Sequence, residues 1–131
     1  MQLRLDTINI ANALLKFAAK EYDQVFFLLN TVKALDLDHA LRVRWLLLCT
    51  HFEKQPKSQQ FKNYCKAYKL YFDRHQSIHS TTKIGSLNLL KLLKKMTQPF
   101  EAKELKKEII NTDLLVYRFW LLNKVSTYYS K

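Results

Sequence analysis

Glycine is almost missing from this chain of 131 residues: it occurs once, at Gly85, and proline only twice, at Pro56 and Pro99. An all-β sandwich or barrel needs many more turn formers, so those classes are excluded. A glycine-rich phosphate loop is excluded by the same scarcity. Two cysteines, Cys49 and Cys65, are too few for a disulfide scaffold. The most apolar short runs, Val25 to Leu29 and Trp45 to Cys49, fall far below the roughly 20 residues a membrane-spanning helix requires. Met1 to Asp6 has no basic stretch followed by an apolar one, and no small-residue cleavage site, so no secretory signal is read there. The expected setting is a reducing cytoplasm with both thiols free.

Acidic residues are also scarce, 11 against 22 Lys and Arg, which leaves a formal net charge of +11. Residues 1–55 hold seven basic residues against six acidic ones, and residues 99–131 six against four. Residues 56–98 hold nine against one, Asp73, and so carry most of the excess. Such a field attracts nucleic acid, anionic lipid or an acidic protein, and its sign does not choose among them. With 48% hydrophobic and 25% charged residues the chain has the composition of a globular domain.

What fills the chain is helical periodicity. No stretch alternates cleanly as a strand would. Asp6 reads as the N-cap of a first helix to about Lys20, with Ile10, Ala11, Leu14, Leu15 and Ala18 on one side. A second runs from Tyr22 to about Ala34, striped by Val25, Leu28, Leu29 and Val32. After the break at Leu35–Asp38, Asp38 reads as the cap of a third helix to about Lys54, with Leu41, Trp45, Leu48 and Phe52 inward. Pro56 ends it. Ser58 then caps a fourth helix to about His75, where Phe61, Tyr64, Cys65, Tyr68, Tyr71 and Phe72 oppose Lys62, Lys66 and Lys69. A fifth starts at Ser80 or Thr81 and reaches Met96, with Ile84, Leu87, Leu90 and Leu93 inward. Thr97 or Gln98 before Pro99 resembles a cap with proline at the first helical position, giving a short sixth helix to about Ile110 with Leu105 and Ile109 inward. Asn111 to Asp113 cap a seventh, from Leu114 to Tyr129, carrying Leu115, Phe119, Leu122 and Val125. Short connections force neighbouring helices antiparallel. The expected fold is all-α, one domain over residues 1–131 made of hairpins at about 6–34, 38–75 and 80–129.

The segment from Ala11 to Val25 resembles a tetratricopeptide hairpin. In that repeat a small residue lets the two helices approach, an aromatic after the turn packs back on the first helix, and a small or apolar residue three positions on seats the second. Ala13, Tyr22 and Val25 stand in those places, while Lys16 replaces a usual aromatic and Leu37 the usual closing proline. Segments 62–96 and 104–125 are similar to the C-terminal part of uncharacterised tetratricopeptide-like proteins common in Bacteroidota, with an aromatic-basic helix, an Asn-containing Leu-rich helix and a closing Trp120-Leu121-Leu122 core. The resemblance implies a short α-solenoid of stacked hairpins, either the C-terminal part of a longer array or a short stand-alone version, and it carries over no catalytic residues.

Candidate chemistry is sparse. His75 and His79 are four apart, as a zinc-binding helix would space them, but a link falls there and no third ligand is near in sequence. Cys49 and Cys65 lie on apolar faces, and His51, two residues from Cys49, points elsewhere on a helix. Glu101, Glu104 and Glu108 alternate with Lys103, Lys106 and Lys107 as a solvated face does. No catalytic, cofactor-binding or metal-ligating set is read. The candidate interaction surface is basic: Lys62, Lys66 and Lys69 on one helix with Lys83, Lys91, Lys94 and Lys95 on the next. The expected function is a non-enzymatic protein or peptide interaction module, with an acidic partner fitting the charge. RNA or DNA binding through residues 56–98 is the alternative. A third reading is an incomplete structural piece whose N-terminal face packs on missing repeats, which concentration-dependent association through the first helix around Ile10 and Leu14 would support. Oligomeric state is left open.

Overall fold

The computed structural model describes residues 2–34 and 36–129, and every regular element among them is an α-helix. Seven are present: α1 Gln2–Ala18, α2 Tyr22–Asn30, α3 Leu37–Lys54, α4 Gln59–Arg74, α5 Ser80–Met96, α6 Ala102–Asn111 and α7 Arg118–Tyr129. The chain divides into two compact units, residues 1–68 and 69–131, with the boundary inside α4. Leu35, one residue of the expected break, lies outside the described residues.

In the first unit α1 and α2 form the first hairpin. Its turn is a left-handed residue, Lys20 at φ 62°, after which Glu21 N–H reaches back to Lys16 C=O at 2.9 Å and Lys20 N–H to Phe17 C=O at 3.0 Å. That pattern closes a helix end by satisfying its last carbonyls, and glycine usually supplies the left-handed residue. Ala13 and Val25 are fully buried at the crossing, beside Ile10, Leu29 and Leu46 of α3. A small side chain at Ala13 is what allows two helices to come this close. The Phe17 and Tyr22 rings meet edge to face at 6.0 Å.

Asp6 is not a cap. It lies one turn inside α1, fully buried, and its carboxylate accepts from Gln2 Nε2 (2.8 Å) and from the backbone N–H groups of Lys33 (3.1 Å) and Ala34 (3.0 Å). The apolar face of α1 is turned accordingly. Ile10 is inside as expected, but Ala11, Leu14, Leu15 and Ala18 are exposed. Helix α2 ends at Asn30, four residues early, because Lys33 and Ala34 bond Asp6 instead of continuing the helix. Asp36, rather than Asp38, caps α3, accepting from His39 N–H at 2.8 Å. Ser58 opens α4 as expected, its Oγ accepting from Phe61 N–H at 3.1 Å.

In the second unit the expected inner faces of α5 and α6 hold at Leu90, Leu93, Leu105 and Ile109, whereas Ile84 is 47% exposed. His79 caps α5 by accepting from Thr81 N–H at 3.3 Å. Pro99 is not at a first helical position: Thr97 closes α5 with a hydroxyl bond to Lys94 C=O (2.7 Å), and α6 starts only at Ala102. Helix α7 starts at Arg118, not Leu114, because residues 114–116 are docked on α5. Asn88 Nδ2 donates to Leu114 C=O (2.9 Å), and Val116 N–H to Gly85 C=O (3.3 Å). The Arg118 guanidinium closes α6, donating to the carbonyls of Ile109, Ile110, Thr112 and Asp113. A fixed cation suits the negative end of a helix. Phe119, expected inside, is 83% exposed.

Lacking glycines, the chain uses Lys20, Ala34 and Tyr117 in the left-handed region, where an L residue costs about 1–2 kcal/mol. Ala34→Gly is therefore expected to raise stability by about 0.5–1 kcal/mol, the relieved strain less the entropy glycine costs. Gly85 behaves oppositely: an added Cβ would lie 3.4 Å from the Leu115 nitrogen, so alanine fits and anything branched does not. Gly85→Val should cost about 1–3 kcal/mol by overpacking, and Gly85→Ala should be close to neutral. Denaturant melts of the three variants check both statements.

Candidate interaction surfaces

The seven lysines of the expected basic surface are all on helices, but they are not equivalent. Lys62 and Lys66 are exposed on the first-unit part of α4. Lys69, in the second unit, is held by Asp73 one turn on at 2.7 Å. Lys95 places its Nζ 2.7 Å from both carboxylate oxygens of Glu108 on α6. Lys83, Lys91 and Lys94 share one face of α5, a helix with no acidic residue at all. Lys91 and Lys94 are exposed and Lys83 is half-buried. The second unit thus brings three of the seven to one helix face and engages two in ion pairs. Exposed pairs of this kind are worth under about 1 kcal/mol and leave the long-range field standing.

The histidines and cysteines considered as candidate chemistry have structural roles. His75 lies on Tyr71, ring centroids 4.0 Å apart, with Nδ1 2.9 Å from the Tyr71 carbonyl. His79 is the α5 cap, so the two imidazoles serve different helix ends rather than one ion. No group of three or more His, Cys, Asp or Glu side chains is arranged to hold a metal among the described residues. His39 joins α1 to α3, with Nε2 2.9 Å from Thr7 Oγ1 and Nδ1 3.3 Å from Asp36. His51 is packed between Phe26 (4.6 Å) and Tyr64 (5.0 Å, stacked). Cys49 and Cys65 are buried. Burial pushes the Cys49 thiol well up, and the charge of Glu53 pushes it further, the opposite of what a nucleophile needs. Tyr22 donates to Glu53 Oε2 at 2.8 Å, and burial together with that bond raises its phenol far above the usual range.

Two concavities are notable. A cleft of about 130 Å³ beside His51 is lined by Phe26, Lys54, Gln55, Ser58 and Gln60. A shallow groove of about 590 Å³ runs between α5 and α6 past Lys95, Phe100, Glu104, Leu105 and Glu108. In the groove Glu108 is engaged by Lys95, and Glu104 lies 3.8 Å from Lys107.

What sequence periodicity misses is the exposed oil. Leu15 (69%), Phe27 (66%), Ile110 (62%) and Phe119 (83%) stand in water. The signal for α1 is readable: Leu3, Leu5, Ile8, Leu14 and Leu15 are apolar beyond what one inward stripe through Ile10, Ala13 and Phe17 requires.

Titration gives one test of this packing. Burial lowers the His51 imidazole below its ordinary value of 6.5, and the Lys54 charge lowers it further. A group whose folded pKa lies below its unfolded one takes up protons first in the unfolded chain, so stability falls as pH drops through 6.5. Asp6 acts in the same direction at lower pH: burial raises its pKa, but its bonds from Gln2, Lys33 and Ala34 and the field of His39 outweigh that, and stability is lost as pH falls below 3.8. Thermal melts from pH 7 down to about 3 should show a decline between pH 7 and 5 that His51→Phe flattens, leaving the loss below pH 3.8 in place.

No protein-family model, no curated protein and no solved structure matches this chain.

Proposed function

We propose that the chain is a non-enzymatic protein–protein interaction module, a tetratricopeptide-like scaffold piece built from helix hairpins and working in the cytoplasm. The observation that carries this reading is the set of large apolar side chains left in water on hairpin helices of both units: Leu15 and Phe27 in the first, Ile110 and Phe119 in the second. Apolar groups of this size gain free energy whenever a partner covers them. Several polar side chains of the kinds that enzymes use are engaged in structure here. Asp6 and His39 hold helix junctions, His79 caps α5 and Arg118 closes α6. No helix among the described residues is long and apolar enough to cross a membrane.

Phe119→Ser and Phe27→Ser test the reading. Both side chains are mostly solvated, so each variant is expected to unfold within about 0.5 kcal/mol of the parent. Proteins that bind the parent chain in its native extract should be lost from one or both variants. Equal recovery on all three chains, or a turnover abolished by one polar substitution, overturns it.

The acid-free face of α5 supports a second reading, in which Lys83, Lys91 and Lys94 hold phosphates of RNA or DNA. Three phosphate contacts give a log–log salt slope of about −2 on single strands and about −2.7 on duplex. Fluorescence anisotropy with a labelled oligonucleotide should show that slope, reduced by about one phosphate's share in Lys91→Ala. Absence of binding at about 50 mM salt removes this reading.

A further inference from the structure

We propose that α1 pairs side by side, parallel and in register, with α1 of a second copy of this chain. The seam is Leu5, Ile8, Asn12 and Leu15, spaced three, four and three residues apart. That spacing is the apolar repeat of a coiled coil, with Leu5 and Asn12 at one seam position and Ile8 and Leu15 at the other. This inference deepens the interaction-module reading and rests on it.

All four seam residues are on the outside of the first unit: Leu5 is 53% exposed, Ile8 46% and Leu15 69%, and Asn12 is exposed as well. The opposite face of α1 is already filled by Asp6, Ile10 and Ala13. The helix therefore cannot roll to hide its outer stripe without pulling the Asp6 carboxylate off Lys33 and Ala34. Ala11 and Ala18, both exposed, flank the seam with side chains small enough for close helix approach.

Asn12 identifies the occupant. Its amide carries both donors and an acceptor, so across a twofold axis each copy satisfies the other. A purely apolar partner groove would leave that amide buried without a partner, at a cost of about 1–3 kcal/mol. Leucine at the Leu5 position with isoleucine at the Ile8 position would by themselves favour three or four strands, and the lone asparagine, Asn12, is the device that fixes two strands and their register. Charge does not oppose the pairing locally. In the parallel arrangement the flanking positions bring Arg4 against Asn9 and Ala11 against Lys16 of the other copy, so no like charges meet. Lys16 is also held by Glu21 at 3.3 Å.

Size sets the strength. Helix α1 is about 25 Å long, which gives a contact at the small end of specific interfaces, under about 1,200 Å². The helix is already ordered by its inner face, so association pays little folding entropy. A weak dimer follows, in rapid exchange with monomer.

Sedimentation of the full chain from roughly micromolar to roughly millimolar concentration, where weak contacts of this size are populated, is expected to show reversible monomer–dimer exchange. Leu15→Asp should remain monomeric with unchanged helix content, since this side chain is exposed. Asn12→Ile should tighten association at least about tenfold, because the polar seam residue costs stability while it fixes register. Asn12→Cys should oxidise to a cross-linked dimer much faster than Gln24→Cys, an exposed position off the seam, as the native Cys49 and Cys65 are buried. A chain monomeric at every concentration overturns the pairing, as does association that survives Leu15→Asp. Dimerisation without Asn12→Cys cross-linking overturns the parallel register. None of these outcomes bears on Phe27 or Phe119, whose variants test the broader reading separately.

Discussion

The carboxylate of Asp6 decides how the first unit is put together. Helix α1 is apolar on two sides, and burial alone does not say which side goes in. A buried carboxylate is costly unless its lone pairs are filled. Three donors fill them here, and two are backbone N–H groups that the chain leaves free on exiting α2. Thr7 and Asn9 add to this, bonding His39 on α3 and Thr31 after α2. The polar half-turn of α1 is thus matched to the junction between α2 and α3. The stripe through Ile10 and Ala13 goes inside, and the stripe through Leu5, Ile8 and Leu15 is left outside.

The second constraint is the shortage of glycine. A helix that must turn sharply back needs a residue with positive φ. Lys20, Ala34 and Tyr117 take that conformation at three of the helix junctions. The only glycine is used elsewhere, inside α5, where the absence of a Cβ lets residues 114–116 lie against the helix. Strain at these joints is tolerated because side chains fix the neighbouring backbone: Asp6 bonds Ala34, and Arg118 gathers four carbonyls immediately after Tyr117.

This explains what was legible in the sequence. The presence of helices α2 to α5, most of their inner stripes and the Ser58 cap follow from local rules, since Val25, Leu48, Tyr68 and Leu93 sit at helical spacing and are buried, whereas the end of α2 and the cap of α3 do not. The inner side of α1, the starts of α6 and α7, and the exposure of Ile84 and Phe119 depend on contacts between distant parts of the chain. Asp6 looks like a cap because its partners are 27 and 28 residues away. Leu114 looks helical because Asn88 and Gly85, which hold its neighbourhood out of the helix, are on another element. The candidate surface divides in the same way. The Lys69–Asp73 pair is readable as a one-turn spacing, whereas the engagement of Lys95 by Glu108 needs two helices brought together.

The apolar and basic surfaces respond to salt in opposite senses, and this separates the two functional readings. Two copies carrying +11 each repel at distances beyond contact. Added salt shortens the reach of that repulsion to about 10 Å at 0.1 M. Self-association through Leu5, Ile8 and Leu15 is therefore strengthened by ionic strength, because its favourable part is uncharged. Capture of a polyanion by Lys83, Lys91 and Lys94 loses its counterion-release term over the same range. The charge of residues 56–98 attracts any polyanion and its sign does not choose among them. Discrimination between partners needs groups whose burial is favourable for one shape only, and α1 presents those groups with an asparagine set among them.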